Sequence, residues 1–475
     1  MSLQIYNTLT RQKEDFVPIQ PGEVRMYVCG PNLYGPVHVG HAMSYVIFDT
    51  VKRYMKFRGY HVKHVQNFTD IEDRIIETAR SMNITINELA ERFIARFFRE
   101  MDALNIERAD HYPRATEVIP DMIHMIQVLI EKGNAYEIGG DVYFRVTRFA
   151  DYGRLSKRSL DQMEAGARVE VDMRKEHPMD FALWKASKEG EPTWDSPWGK
   201  GRPGWHIECS AMSMRFLGEQ LDIHGGGQDV IFPHHENEIA QSEAYTSKPP
   251  FVKYWVHNAL LRLHEGEEKM TRHVGNIVSV EEALEKYSTD SIRLFLLSSH
   301  YRSPLTWKEE NVFAAERGAE RLRVALKDYA GQSPSGRDGV PNADSPGDAL
   351  SREAETARQE FITAMDDDFS TPRAVAQAFD LARLINQARD SGVASASLDY
   401  AQGILRELTD VLGLPLKGRA GPTEAEPFLA LLVQVRRELR EAKQWALADR
   451  IRDQLVELGV ALEDGPEGTT WKYLG

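Results

Sequence analysis

Apolar positions along the chain alternate between short compact runs and longer periodic stretches. Val24 to Val28 is an apolar-rich run closed by Cys29-Gly30-Pro31, which predicts a strand followed by a turn. From Val39 to Phe57 the residues Ala42, Tyr45, Val46, Phe48, Val51 and Tyr54 recur at helical spacing, with Gly59 beyond the end, and this predicts a helix. Val62 to Val65 predicts the next strand. Strand, helix and strand in that order predict an α/β body with a parallel sheet and ligands at the carboxyl ends of its strands.

Residues 86 to 133 read as helices. Residues 139 to 200 break the pattern, with a strand-like run at Val142 to Val146 and a Gly/Pro/Trp-rich stretch after Pro192, which predicts an insertion. Strand–helix character returns at 204 to 260. Gly331 to Asp348 is rich in Gly, Ser, Pro and Asp and has almost nothing apolar, so it cannot join a core and predicts a linker. The chain then reads helical from Leu350 to about Leu412. It breaks again over Gly413 to Pro427 and ends in a last helical stretch and a short tail containing Trp471-Lys472-Tyr473. Neither an internal repeat nor a heptad array is visible.

Bulk properties narrow the classes. A length of 475 residues exceeds one ordinary domain, which predicts an α/β body plus smaller helical domains. No apolar run approaches the roughly 20 residues that span a bilayer. Met1 to Glu14 is polar and carries both charge signs, unlike a secretory signal. The expectation is a cytoplasmic protein with no membrane partner. A net charge of -14 argues against a general nucleic-acid binder but leaves room for a local basic surface. In a reducing compartment the two cysteines, Cys29 and Cys209, are buried bystanders, reactive thiols or metal ligands.

Three constellations carry candidate chemistry. The first is His38-Val39-Gly40-His41 at the opening of the predicted helix. A helix N-terminus offers backbone N–H groups and partial positive charge to a phosphate, and Gly40 lets a ligand approach the backbone. The alternative is two surface histidines capping a helix. The second is Cys29, Cys209, His234 and Glu238. His234 and Glu238 are spaced i, i+4 and share a face if that segment is helical. Cys29 ends the first predicted strand, and Cys209 ends Gly204-Trp205-His206-Ile207-Glu208-Cys209, read as a second strand. If those strands are neighbours, two thiolates, an imidazole and a carboxylate converge in a set that suits zinc. No two of the four form a close Cys pair, so spacing alone leaves the metal open. The third is Lys269-Met270-Thr271-Arg272-His273, after an acidic loop-like stretch at Glu265 to Glu268. Its paired cations could hold a polyphosphate or simply face solvent.

Together these segments resemble the class I aminoacyl-tRNA synthetases, and within them the cysteine-specific family. His38-Val39-Gly40-His41 resembles that family's HIGH motif, and Lys269 to His273 stands in the place of its KMSKS motif. Gly201 to Ser213, His224 to Asp229, Phe232 to Glu243, Asp180 to Lys185 and Tyr301 to Trp307 also fit. Asp367 to Ala374 resembles the helical anticodon-binding domain, and Trp445 to Trp471 the C-terminal tail. The resemblance implies a Rossmann-type catalytic domain in two halves, 1–115 and 201–260, split by an insertion at 116–200. It implies a stem-contact region at 261–330, a linker at 331–349, an anticodon-binding domain at 350–412 and a C-terminal segment at 413–475. It also implies one Zn2+ held by Cys29, Cys209, His234 and Glu238. The amino-acid pocket would be lined by Thr69 and Trp205 and supported by Asp229. ATP, accompanied by Mg2+, would meet His38, Gly40, His41, Lys269 and Arg272. The implied partners are L-cysteine, ATP and cysteine tRNA, and the implied state is a monomer.

Zinc suits such a substrate. Cysteine and serine differ by one atom, and cavities separate near-isosteres poorly, by roughly 10- to 200-fold for a methylene. A metal reads the thiol's acidity and softness instead. Two features depart from the family pattern. Arg272 stands where a second lysine is expected, and a planar fork is not equivalent to an ammonium at a phosphate. His273 replaces a serine, and Asn32, Leu33 and Gly35 alter the approach to the histidines. Two rival readings are a cysteine ligase loading an amino-sugar acceptor and a non-catalytic tRNA-binding relative.

Overall fold

The computed structural model describes residues 2–160, 162, 173–262, 277–327, 346–417, 426–465 and 468–473. A hairpin of β1 (Gln4–Asn7) and β2 (Gln12–Asp15) precedes the first predicted strand. That strand is β3 (Glu23–Val28), followed by α1 (Val39–Phe57), with the bounds its spacing predicts, and β4 (His61–Gln66). Next come α2 (Asp73–Ser81), α3 (Ile86–Ala103) and α4 (Ile119–Glu131). Thr85 and Glu88 fix the start of α3 by exchanging side-chain and backbone hydrogen bonds.

The predicted insertion contains β5 (Ala135–Ile138), β6 (Asp141–Phe144) and β7 (Phe181–Ala186), and β8 (Gly201–Pro203), just beyond its expected end, completes their antiparallel sheet in that order. The chain then returns to the body through α5 (Trp205–Leu217), β9 (Leu221–Gly227), α6 (Glu236–Thr246) and β10 (Val252–Asn258). The central sheet runs β10-β9-β3-β4, with every pairing parallel. The expected fold class is therefore observed.

Both faces of this sheet are covered, as a parallel sheet requires. Val24, Met26 and Val28 of β3 join one core with Ala42, Val46 and Phe48 of α1. The alternate residue Tyr27 joins a second core with Met122 of α4 and Ile207 and Cys209 of α5. One expectation fails. Gly204 to Cys209 is not a strand: Trp205 opens α5, and Cys209 lies within that helix. Ile207 to Ser213 is buried without a break, so the segment lacks the alternation that would mark a half-exposed strand.

Beyond β10, β11 (Leu261–Arg262) pairs in parallel with β12 (Leu305–Thr306), flanked by α7 (Val280–Lys286), α8 (Thr289–Leu297) and α9 (Glu309–Leu326). The helical stretch predicted from Leu350 is three helices, α10 (Pro346–Asp366), α11 (Thr371–Asp390) and α12 (Ser395–Val411). The first starts at Pro346, ahead of Leu350, because proline is favoured at a first helical position. The last predicted helical stretch is two helices, α13 (Glu426–Glu441) and α14 (Trp445–Glu457). The residues expected as a tail form a hairpin instead, β13 (Val460–Gly465) with β14 (Gly468–Tyr473). Leu429, Leu455 and Val460 give it a small core of its own. Among the described residues no helix is long and apolar enough to cross a membrane.

Candidate active site

A cavity of about 300 Å³ opens where β3, β4, β9 and β10 end and α1 begins. This is the place where parallel sheets present ligands. The ends of β3 and β4 can close up there only because residue 30 is glycine. A Cβ on Gly30 would lie 1.6 Å from the Asn67 carbonyl oxygen, and its N–H donates to Asn67 Oδ1 at 2.9 Å.

His38 caps α1. Its Nδ1 accepts the backbone N–H groups of Gly40 and His41 at 3.1 and 3.3 Å, and its own N–H donates to His41 Nδ1 at 3.4 Å. The two rings stack with centroids 3.7 Å apart. An Nδ1 that accepts carries no proton, so in both neutral rings the proton sits on Nε2. This alters the expectation for the helix start. The N–H groups of Gly40 and His41 are already used, so at this helix start a ligand meets the imidazole rings rather than bare backbone N–H groups. His38, Gly40 and His41 all line the cavity.

Cys29, Cys209 and His234 line the same cavity, and with Glu238 they present ligand atoms within 4.8 Å of one another. The residues come from the end of β3, from α5, from the turn before α6 and from α6. His234 Nε2 and Glu238 Oε1 are 3.0 Å apart, yet Glu238 Oε1 has no hydrogen-bond partner. Two buried donors that close and not aligned on each other are arranged like two ligands aimed at one ion, for which bonds of about 2.0 Å give a separation of about 3.3 Å. Trp205 stacks on His234 with centroids 4.2 Å apart. Burial disfavours charge on His234, but Glu238 and Cys209 outweigh it and push its pKa up to about 10. Burial likewise opposes the Glu238 carboxylate, but His224 and His234 hold its pKa at about 2. The adjacent Cys29 sulfur and burial push the Cys209 thiol well up.

A second grouping, Cys29, His224, His235 and Glu238, shares two of these residues. Of the two groupings, Cys209 and His234 line the cavity with Cys29, whereas His224 and His235 do not. His224 Nε2 contacts Glu238 Oε2 at 2.9 Å, and His235 continues through His257 to Thr8 with two 2.8 Å contacts. These histidines therefore back the donor set from behind. Nothing in their spacing along the chain marks them for that role.

Thr69, Trp205 and Asp229 also line the cavity, as does the cation Arg74. The Thr69 hydroxyl donates to Glu208 Oε2 at 3.0 Å. Glu208 is wholly buried, its Oε1 has no partner, and burial with Asp70 nearby pushes its carboxyl pKa well up. Arg74, Glu208 and the backing histidines were not predicted. Only the unbroken burial of α5 marks Glu208, and that is visible in three dimensions rather than in sequence. Lys269 and Arg272 lie outside the described residues.

Residues 15–317 match the family model described as the class I (C) tRNA synthetase catalytic domain, and residues 360–417 match the DALR domain. With the parallel sheet and its strand-end cavity, this makes the chain a class I aminoacyl-tRNA synthetase. A cysteine–tRNA ligase of Dehalococcoides mccartyi is 52% identical over 473 residues, covering 99% of both chains. Another, of Symbiobacterium thermophilum, is 49% identical over 479 residues, covering 99% of this chain and 100% of that one. The chain belongs to the cysteine–tRNA ligase family. Among solved structures, a Mycobacterium tuberculosis methionyl-tRNA synthetase has a TM-score of 0.59 at 16% identity, covering 86% of this chain and 94% of that chain. An Agrobacterium radiobacter leucyl enzyme has a TM-score of 0.58 at 12% identity, covering 85% of each chain. These two likenesses show the shared fold.

Proposed function

We propose that the chain activates L-cysteine with ATP and transfers it to the 3′ end of cysteine tRNA, with the substrate thiol held on a zinc ion by Cys29, Cys209, His234 and Glu238. One observation carries this reading: Cys29, Cys209 and His234 of the donor cluster and the His38–His41 pair line a single cavity. A thiol at one end and a triphosphate at the other would therefore meet within it.

The donor set fits zinc, because two sulfurs, an imidazole and a carboxylate match its borderline softness. Zinc, when bound, favours the substrate's thiolate and leaves a serine hydroxyl poorly held. Trp205, stacked on His234, walls the amino acid beside the donors. The Thr69 hydroxyl, fixed by Glu208, orients it, and Asp229 supports the pocket. His38 and His41, which line the cavity, would meet the phosphates as charge builds there. Lys269 and Arg272 would complete that hold, with magnesium accompanying ATP. The cysteine carboxylate attacks the α-phosphorus and pyrophosphate leaves. A tRNA terminal hydroxyl then attacks the adenylate carbonyl and AMP leaves. The enzyme contributes position and fixed charge rather than a covalent intermediate.

Cysteine-dependent ATP–pyrophosphate exchange tests the first step and charging of cysteine tRNA the second. Both are expected with zinc present, and exchange is expected to collapse on chelation. No exchange in metal-replete protein would overturn the enzymatic reading, and exchange without charging would favour a different acceptor. Cys209→Ser is expected to lower zinc content and cysteine activation together. Unchanged zinc would remove Cys209 from the ligand set and favour the grouping with His224 and His235.

A further inference from the structure

Helix α1 has its two ends in different parts of the molecule. Its first turn places His38 and His41 at the cavity. Its second half is bonded to the helices that follow residue 346. The Tyr54 hydroxyl donates to Asp366 Oδ1 at 2.6 Å, and Arg58 forms an ion pair with the same carboxylate. Arg53 reaches the Asp410 carbonyl at 3.4 Å. Asp49 accepts from Arg293 at 2.6 Å, and that guanidinium also donates to the Leu412 carbonyl at 2.9 and 3.1 Å. None of Asp49, Arg53, Tyr54 and Arg58 lines the cavity.

The joint is dry. Tyr54 is 0% exposed and Asp366 2%. The Tyr54 hydroxyl also donates to the Ile362 carbonyl at 3.1 Å and accepts from Arg58 at 3.1 Å, so a shift of either helix disturbs several buried contacts together. The helix between joint and cavity is stiff. Its 19 residues span about 28 Å at 1.5 Å per residue. Helices kink at proline, at paired small residues or at bulges, and α1 has no proline and only one glycine, Gly40, in its first turn. A displacement of α10 or α12 therefore reaches His38 and His41 through one rigid element rather than through a chain of loose contacts.

We propose that α1 couples the two ends: binding of tRNA by the helical region 346–411 sets the position of His38 and His41, with Tyr54 and Asp366 as positioning residues. This rests on the reading of that region as the tRNA anticodon reader. Tyr54→Phe removes one oxygen and keeps the ring. Asp366→Asn keeps the shape and removes the charge. In either variant, tRNA-independent pyrophosphate exchange and the KM for cysteine tRNA are expected to stay within about twofold of the unmodified protein. The kcat for charging is expected to fall about tenfold. The double variant is expected to lose less than the product of the two single losses, because both changes act on the one Tyr54–Asp366–Arg58 group.

A joint that merely holds the domains together would give the opposite split: a raised KM for tRNA or a lower melting temperature, with kcat unchanged. That result would overturn the proposal. If Asp366→Asn fails to fold, Tyr54→Phe decides alone. Charging by the unmodified protein of cysteine tRNA with an altered anticodon separates the two layers. If that change has no effect, the anticodon reading itself fails and the coupling falls with it, whatever the variants do. If it lowers charging while Tyr54→Phe does not, the coupling alone is overturned.

Discussion

Glu208 touches Thr69 from beneath the cavity floor, and the contact shows how one buried carboxyl can shape a binding pocket without reaching the ligand. A single net hydrogen bond contributes about 1–1.5 kcal/mol, or roughly tenfold in an equilibrium. Glu208→Ala is expected to release the Thr69 hydroxyl and raise the KM for cysteine about tenfold in the exchange assay. Glu208→Gln keeps an acceptor for Thr69 and is expected to stay within about threefold. Equal losses in the two variants would show that Thr69 does not act through this contact. Residue-level chemistry was partly legible in the sequence. Cys29, Cys209, His234 and Glu238 could be named from their motifs, and they do converge. The partners behind them could not be named, because a lone His224 or His257 carries no periodicity and its contacts span 14 and 249 residues.

Among the elements, those with a clear period were the most legible. Helix α1 has the bounds its spacing predicts, and β3 differs by one residue. β9 is harder to read, because Leu221–Gly227 ends in three glycines that look like a turn. Gly225 is required there by packing: a Cβ would lie 2.3 Å from the Phe48 ring of α1. The β13–β14 hairpin was missed because its short strands mix apolar, polar and glycine residues without a clean alternation, and charge adds to its small core. Arg436 pairs with Asp464 at 2.8 Å, and Arg440 joins the same carboxylate. Arg436 and Thr469 hold the Asp464 carboxyl well below the usual carboxylate range. A folded-state pKa below the unfolded value of about 3.9 stabilises the fold above that pH and loses this stabilisation as pH falls through the folded value. Amide protection factors at 460–465 are therefore expected to hold from pH 6 to about pH 4 and to fall progressively below it in the unmodified chain. In Asp464→Asn they should already be low at pH 6. A pH-independent protection factor in the unmodified chain would show that the clamp contributes nothing.

At the scale of the whole molecule, Arg293 sits where three parts meet. It donates to Asp49 of α1, to the Leu104 carbonyl after α3 and to the Leu412 carbonyl after α12. Gly413 is fitted to it, with φ +69° and a would-be Cβ 2.0 Å from Arg293 Nη2. The sequence reads that glycine as the start of a break, whereas the structure requires it for contact. Arg293→Met would leave the Leu104 and Leu412 carbonyls short of a donor and Asp49 with only Arg53 and the Glu107 N–H, a loss of about 1.5–3 kcal/mol. Calorimetry is expected to show the catalytic body and the helices 346–411 melting as one transition in the unmodified protein and as two in the variant. A single transition at an unchanged temperature would refute that role. The distance along the chain between the sulfur donors has a consequence in time. Cys209 is made 180 residues after Cys29. At about 5–20 residues per second, the ribosome exposes Cys29 as a solitary thiol for roughly 10–40 s before its partner sulfur exists. On the proposed reading, metal capture would be a late event of biosynthesis, and this cysteine would be most open to oxidative damage in the nascent chain, before folding brings Cys209 beside it.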